Sequence, residues 1–211
     1  MFKNKLFRLL ILVVVVGVVG YTFLSQDTQT DSPEKVSAYA EQIEKERREK
    51  DNSFKTGADS PLENKANFKA LDYFAPNMVY KLTARIVPNE DTTNRTVKIA
   101  MTDGSVETYE KFGVAQFEID GKPQKLTVYL LDGLFMILFK DATAPQETYG
   151  GGRYLDIAAS ELQDNKLPLD FNKAYNPYCA YNHNFACPLP PKENTLTVRI
   201  EAGEKNFGEN L

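Results

Sequence analysis

The sequence predicts a mainly β domain, an antiparallel meander closed into a barrel or a sandwich, and three observations carry that expectation. Asp-Gly pairs stand at Asp103-Gly104, Asp120-Gly121 and Asp132-Gly133, each followed by a new run rich in β-formers. Asp-Gly suits the tight hairpin turn, whose central residues need positive φ. From Val79 onward apolar Tyr80, Leu82, Ala84 and Ile86 alternate with Lys81, Thr83 and Arg85, the period-two pattern of a half-buried strand. The run Leu134-Phe135-Met136-Ile137-Leu138-Phe139 is apolar on both faces, as a strand covered on two sides would be. Closure into a barrel or sandwich is expected because it removes exposed edges.

The chain begins with Lys3, Lys5 and Arg8 ahead of an uncharged run over residues 9–24. Spanning a bilayer takes roughly 17 to 25 helical residues, so this run with its flanks is long enough. A cleaved signal peptide would end at a small-x-small site, and Ser25, Gln26 and Asp27 follow instead. A retained transmembrane helix is therefore expected. The leading positive charges place the N-terminus in the cytoplasm and the rest outside it, a single-pass protein of the cell membrane. The expected organisation is a cytoplasmic stub and anchor over 1–25, a tether and charged helix over 26–52, one β domain over 53–206, and a tail over 207–211.

With 211 residues and 42% hydrophobic content, one domain with a real core fits and two do not. Ser32 then Pro33 reads as a helix start. Val36, Tyr39, Ala40 and Ile43 give that helix one narrow apolar stripe, to be laid on the domain or on a partner. Glu41 with Lys45, Glu44 with Arg48, and Glu46 with Lys50 are expected to pair along it. Arg47, Arg48 and Lys50 are interleaved with acids and the net charge is -4. The pattern reads as a solvated helix face, and no nucleic-acid partner is expected. Ser60-Pro61 repeats the helix-start signal, with Phe68, Leu71, Tyr73 and Phe74 docking on the core. The strands of the meander are expected over 95–102, 105–109, 114–119, 125–131 and 134–140.

Both cysteines and the only histidine fall in residues 148–205. Gly150-Gly151-Gly152 reads either as a flexible turn or as a cradle for an anion beside Arg153. Residues 153–157 read as a strand with Tyr154 and Asp156 on one face and Arg153, Leu155 and Ile157 on the other. An Arg and an Asp there imply either a structural ion pair or part of a site. Cys179 and Cys187 are expected to form a disulfide outside the cytoplasm, stabilising by about 2.5 kcal/mol. A metal site with His183 or a pair of free thiols are the alternatives. The surrounding prolines oppose the helix that would put Cys179, His183 and Cys187 on one face, and a fourth ligand is missing, so no metal is expected. No cofactor is expected either.

The ligand-binding candidates are Arg153, Tyr154, Asp156, Asn172, Tyr175, Asn176, Tyr181, Glu193 and Asn194, because Tyr and Asn together offer flat faces with paired donors and acceptors. A long loop stapled by its own polar side chains would look the same. Nucleophile-elbow, zincin, Walker and dinucleotide motifs are absent, and one histidine leaves little scope for triads. The leading expectation is an extracytoplasmic domain binding a small polar ligand or an envelope component. A hydrolase using carboxylates such as Asp156 with Asp170 or Glu193, a thiol enzyme using Cys179, and a partner-binding module using Val36, Tyr39 and Ile43 are the alternatives.

Four stretches, TYGGGRYLD at 148–156, LDFNKAYNPYCAYN at 169–182, CPLPPKEN at 187–194 and IEAGEK at 200–205, are similar to the bacterial and archaeal family known as domain of unknown function 1684. A fainter likeness begins near Glu46-Arg47 and passes through Lys50-Asp51 and Ser60-Pro61-Leu62. A common family version reads NPP where this chain has Asn176-Pro177-Tyr178. The resemblance implies a shared fold and brings no activity with it.

Overall fold

The structure is a computed structural model, and it describes residues 32–91, 93 and 95–208. The expected membrane span lies outside them. Among the described residues no helix is long and apolar enough to cross a membrane.

Seven strands make the domain wall: β1 (Lys81–Pro88), β2 (Thr96–Ala100), β3 (Val106–Ile119), β4 (Lys122–Leu131), β5 (Leu134–Phe139), β6 (Arg153–Ala158) and β7 (Lys166–Asp170). Their order is β6-β5-β4-β3-β1-β7, with β2 pairing β3 off that path. Every ladder is antiparallel. Because β6 also comes next to β7, the sheet curls into a nearly closed barrel.

The turns follow from backbone sterics. Asp120 and Gly121 have φ of 50° and 69°, and Asp132 and Gly133 have 49° and 80°, so both pairs make two-residue hairpin loops with two positive φ values. At the third pair only Gly104 is left-handed, at φ 85°, and Met101 N–H closes onto Ser105 O at 2.9 Å. Asp164-Asn165 forms a further such turn, at φ 49° and 57°. The sequence pattern did not reveal it, because asparagine tolerates this conformation without being diagnostic of it.

The strands expected over 105–109 and 114–119 are one continuous strand, β3. A bulge between Lys111 and Gly113 lets it bend and change partner, from β2 before the bulge to β1 after it. Gly113 is needed there, since a Cβ would sit 2.5 Å from Val87 O. Bulges of this kind raise local twist and allow a sheet to curl.

Alternation then fills the barrel. Ala84, Ile86, Phe117, Leu126, Val128, Phe135, Ile137, Phe139, Leu155, Ile157, Leu167 and Leu169 converge in one core. The opposite face of β2 to β6 carries a second cluster of Ile99, Tyr109, Tyr129, Leu138 and Tyr154. Strand β5 is therefore covered on both sides, as its doubly apolar pattern requires.

Chain beyond β7 closes the barrel end. Ile200 and Ala202 are fully buried in the core. Arg153 holds this segment from below: its guanidinium donates to Asp141 Oδ1 at 3.1 Å, Ile200 O at 3.0 Å, Glu204 O at 3.1 Å, and Ala202 O. Asp141 Oδ2 in turn accepts from Ile200 N–H at 2.7 Å and the Thr143 hydroxyl at 2.8 Å. Strands β4 and β5 pair only from Tyr129 with Met136 to the turn. Beyond that the Asn194 amide stands in for a strand, accepting from Thr127 N–H at 2.7 Å and donating to Thr127 O at 3.0 Å and Leu138 O at 2.8 Å.

Helix α1 (Pro33–Thr56) starts where expected, with Ser32 Oγ accepting from Lys35 N–H at 3.3 Å. Its buried stripe is longer than the sequence reading allowed, running through Tyr39, Ile43, Arg47 and Phe54. Tyr39 and Ile43 are taken up by the domain itself, the Tyr39 hydroxyl donating to Asp170 at 2.8 Å. The solvated face expected at Arg47 and Lys50 is corrected too: Arg47 is buried and Lys50 pairs with Glu204, while Glu46 pairs with Lys173 at 3.0 Å. The partners Glu204 and Lys173 lie on chain far from the helix in sequence, so local i,i+4 reasoning could not find these pairs. Ser60-Pro61 starts no helix; the Ser60 hydroxyl instead donates to Phe54 O at 2.5 Å, tying the end of α1 to the next segment. Phe68 and Leu71 do dock, against Phe54, Leu62 and Tyr181.

The expected Cys179–Cys187 disulfide is not formed. Both cysteines are buried free thiols, and Cys179 N–H donates to Cys187 Sγ at 3.1 Å. A 3-10 turn at Tyr178–Ala180 aims that N–H at the sulfur, so the loop between the two cysteines is stapled by a hydrogen bond in place of a covalent bond. Burial, then the hydrogen bond with Cys179, push the Cys187 thiol up to about 12.

Candidate functional site

The nine candidate residues do not form one site. Arg153, Asn172, Asn176 and Asn194 are buried and engaged with backbone. Asn172 Oδ1 accepts from Asn77 N–H and its Nδ2 donates to Asn77 O, both at 2.8 Å, and Asn176 Nδ2 donates to Lys205 O at 2.8 Å. Tyr181 donates to Glu204 and packs edge-on against Phe54 and Phe207. Tyr154, Asp156 and Tyr175 come together on the outer face of β6. Tyr175 donates to Asp156 Oδ2 at 2.6 Å, its ring meets Tyr154 edge-on at 5.8 Å, and Tyr154 donates to Pro188 O. Glu193 is exposed in a short 3-10 turn. Gly152, the last of the three glycines, has φ 94°, and a Cβ there would meet Phe139 O at 2.7 Å. The glycine lets the loop pass close over β5.

Tyr154 and Tyr175 line a groove of about 710 Å³. Strands supply its floor with Tyr109, Met136 and Tyr154, helix α1 one bank with Lys50 and Phe54, and the cysteine loop the other with Tyr178 and Phe185. Tyr178 and Phe185 meet edge-on at 5.3 Å. They remain 45% and 38% exposed at the mouth. The wall is thus aromatic, with Glu49, Lys50 and Ser53 as its polar edge.

Beside it lies a smaller pocket of about 120 Å³, lined among others by Arg47, Lys50, Tyr73, Asn172, Tyr175 and Glu204. Glu204 is its hub. Buried at 1% exposure, it accepts from Lys50 and Tyr181 and from Asn176 N–H at 2.9 Å. Lys50 also lies over the Tyr175 ring at 4.9 Å, so it borders both cavities. Burial, then the charge of Glu204, hold the phenols of Tyr73 and Tyr181 well above their usual range.

The sequence reading did not place Arg47, Lys50, Tyr73, Tyr109, Met136 or Glu204 in a site. A signal existed for two of them, because Tyr39, Ile43, Arg47, Lys50 and Phe54 continue one helical stripe through charged positions. Glu204 sits in the IEAGEK stretch but offers no periodic cue. Among the described residues no group of three or more His, Cys, Asp or Glu side chains is placed to hold a metal ion. Asp156 and Asp170, considered as an acid–base pair, are each held by a different tyrosine, Tyr175 and Tyr39.

The fold has a solved counterpart. The chain is similar to the solution NMR structure of an uncharacterised protein of Haloarcula marismortui, at 30% identity and a TM-score of 0.63, over 83% of this chain and 98% of that one. No curated protein matches the chain. The family model described as "Protein of unknown function (DUF1684)" matches residues 66–205, a span that takes in the barrel, the cysteine loop and Glu204 but not helix α1. This chain belongs to that family.

Proposed function

We propose that the chain is a membrane-tethered, extracytoplasmic binding module whose aromatic groove takes a small polar ligand with an apolar ring face, a saccharide unit of the cell envelope being the best chemical match. The observation that carries this reading is the Tyr178–Phe185 pair, two large rings left exposed at the mouth of a groove whose size falls in the range of small-molecule pockets. A pyranose presents an apolar C–H face to such rings and hydroxyls to an edge like that of Glu49, Lys50 and Ser53. The tether rests on the uncharged run 9–24 behind Lys3, Lys5 and Arg8. A thiol-based reaction at Cys187 is disfavoured, because a buried thiol pushed up to about 12 carries almost no thiolate near neutral pH.

The test is calorimetric titration of the full chain, in detergent micelles, with envelope-type saccharides. Replacing both Tyr178→Ala and Phe185→Ala should weaken binding roughly tenfold through lost ring contacts, while the unfolding free energy stays within about 0.5 kcal/mol, as for exposed positions. Absence of binding by every saccharide, or equal binding by the double variant, would remove the proposal.

A further inference from the structure

Resting on the groove reading above, we infer that the saccharide unit it takes is an amino sugar with a free ammonium, which pairs with Asp156 beside the Tyr154 and Tyr175 rings. Three residues fix Asp156 at the edge of the groove floor. Tyr154 precedes it by two on β6 and so shares its face. Met136 is its cross-strand partner on β5, and the Tyr175 hydroxyl donates to its Oδ2 at 2.6 Å. Tyr154, Met136 and Tyr175 all line the groove. Asp156 itself is exposed, so its carboxylate is open to a ligand lying on those residues.

Charge decides what that ligand carries. Among the described residues no Lys or Arg forms an ion pair with Asp156. The charged residues that line the groove are already matched: Lys50 pairs with Glu204, and Glu49 lies 3.8 Å from Lys45. Asp156 is therefore the unmatched charge at the groove, and a cation is its complement. The rings suit the same charge. The Lys50 ammonium lies 4.9 Å over Tyr175 and 5.3 Å over Phe54, so two faces of this wall already hold a cation. A sugar hydroxyl meets the carboxylate as a neutral donor, whereas an ammonium makes the stronger charge-assisted bond. An N-acetyl group puts a neutral amide in its place and forfeits that bond. Glu107 supplies the comparison: it is an exposed acid tied to a groove tyrosine, Tyr109, at 3.3 Å, but it lies on β3, with β4 and β5 between it and β6.

The test compares the disaccharide of glucosamine with its di-N-acetyl form, by calorimetric titration of the full chain in detergent micelles. The amino form should bind about tenfold more tightly, and sodium chloride at about 0.5 M should shrink that preference to about twofold. Asp156→Asn should weaken the amino form about fivefold and leave the acetylated form unchanged. The variant should fold, because the position is exposed and Tyr175 can donate to the new amide oxygen. Glu107→Gln removes the same charge from the far side of the sheet and should leave the preference intact. Equal or tighter binding of the acetylated form, a preference that survives Asp156→Asn, or an equal loss in Glu107→Gln overturns the inference while the groove reading stands. Binding of no saccharide at all removes the groove reading and the inference together.

Discussion

Arg153 and Arg47 are both buried in this domain, yet one is enclosed by the chain and the other borders a pocket. Arg153 meets a buried carboxylate and three carbonyls of the segment that closes the barrel, and Asp141 is itself shared with Thr143 and Ile200. Arg47 meets two carbonyls and one half-exposed glutamate, and it borders open space. The barrel end is thus held by polar groups closed over by the chain. The layer between helix α1, the 171–187 turns and Glu204 keeps a pocket and an exposed aromatic pair. Polar burial serves the fold in the first region and leaves room for chemistry in the second.

That contrast sets the order of expected effects. Arg153→Met strands Asp141 as an unpaired buried charge, so it should cost about 3 to 5 kcal/mol and lower the melting temperature by roughly 10 °C in a calorimetric scan. A loss under 1 kcal/mol would show that the clamp is dispensable. Asn194→Ala leaves Thr127 and Leu138 without their partner and should cost about 2 to 3 kcal/mol in urea unfolding. Alkaline pH should act on the other region. Burial raises the phenols of Tyr39, Tyr73, Tyr175 and Tyr181 above their unfolded values. Their contribution is therefore complete below about pH 10 and is lost as pH rises beyond it. None of these phenols donates into the Arg153 clamp. Hydrogen exchange above pH 10 should open α1 and the 171–187 turns before β5, which carries no tyrosine, and simultaneous opening would erase the distinction.

The antiparallel meander was legible because its instructions are local, whereas its closure into a barrel and not a sandwich was not. Asp-Gly pairs set the turns, and a period of two sorts Phe117 and Leu126 inward without knowledge of any partner. The single β3 was not legible, since the bulge at Gly113 depends on Val87 approaching from β1. The site was half legible. Tyr154, Asp156 and Tyr175 stood out by side-chain type, and they do meet. Lys50 and Glu204 pair across 154 residues of chain, and a charged pair of that separation leaves no trace in any window. Asn172, Asn176 and Asn194 looked like ligand donors because the same amide that suits a sugar also replaces a missing backbone partner. The cysteines followed a rule about compartment, whereas the local turn decided the geometry of Cys179 and Cys187.

The proposed ligand site is the outer aromatic groove and not the barrel interior. Carbon-detected chemical-shift mapping during a saccharide titration reads it directly. The account predicts that Met136, Tyr154, Tyr175, Tyr178 and Phe185 shift together along one saturating curve while Phe117 and Phe171 stay still. Shifts confined to Phe117 and Phe171, or none at the groove, would contradict it.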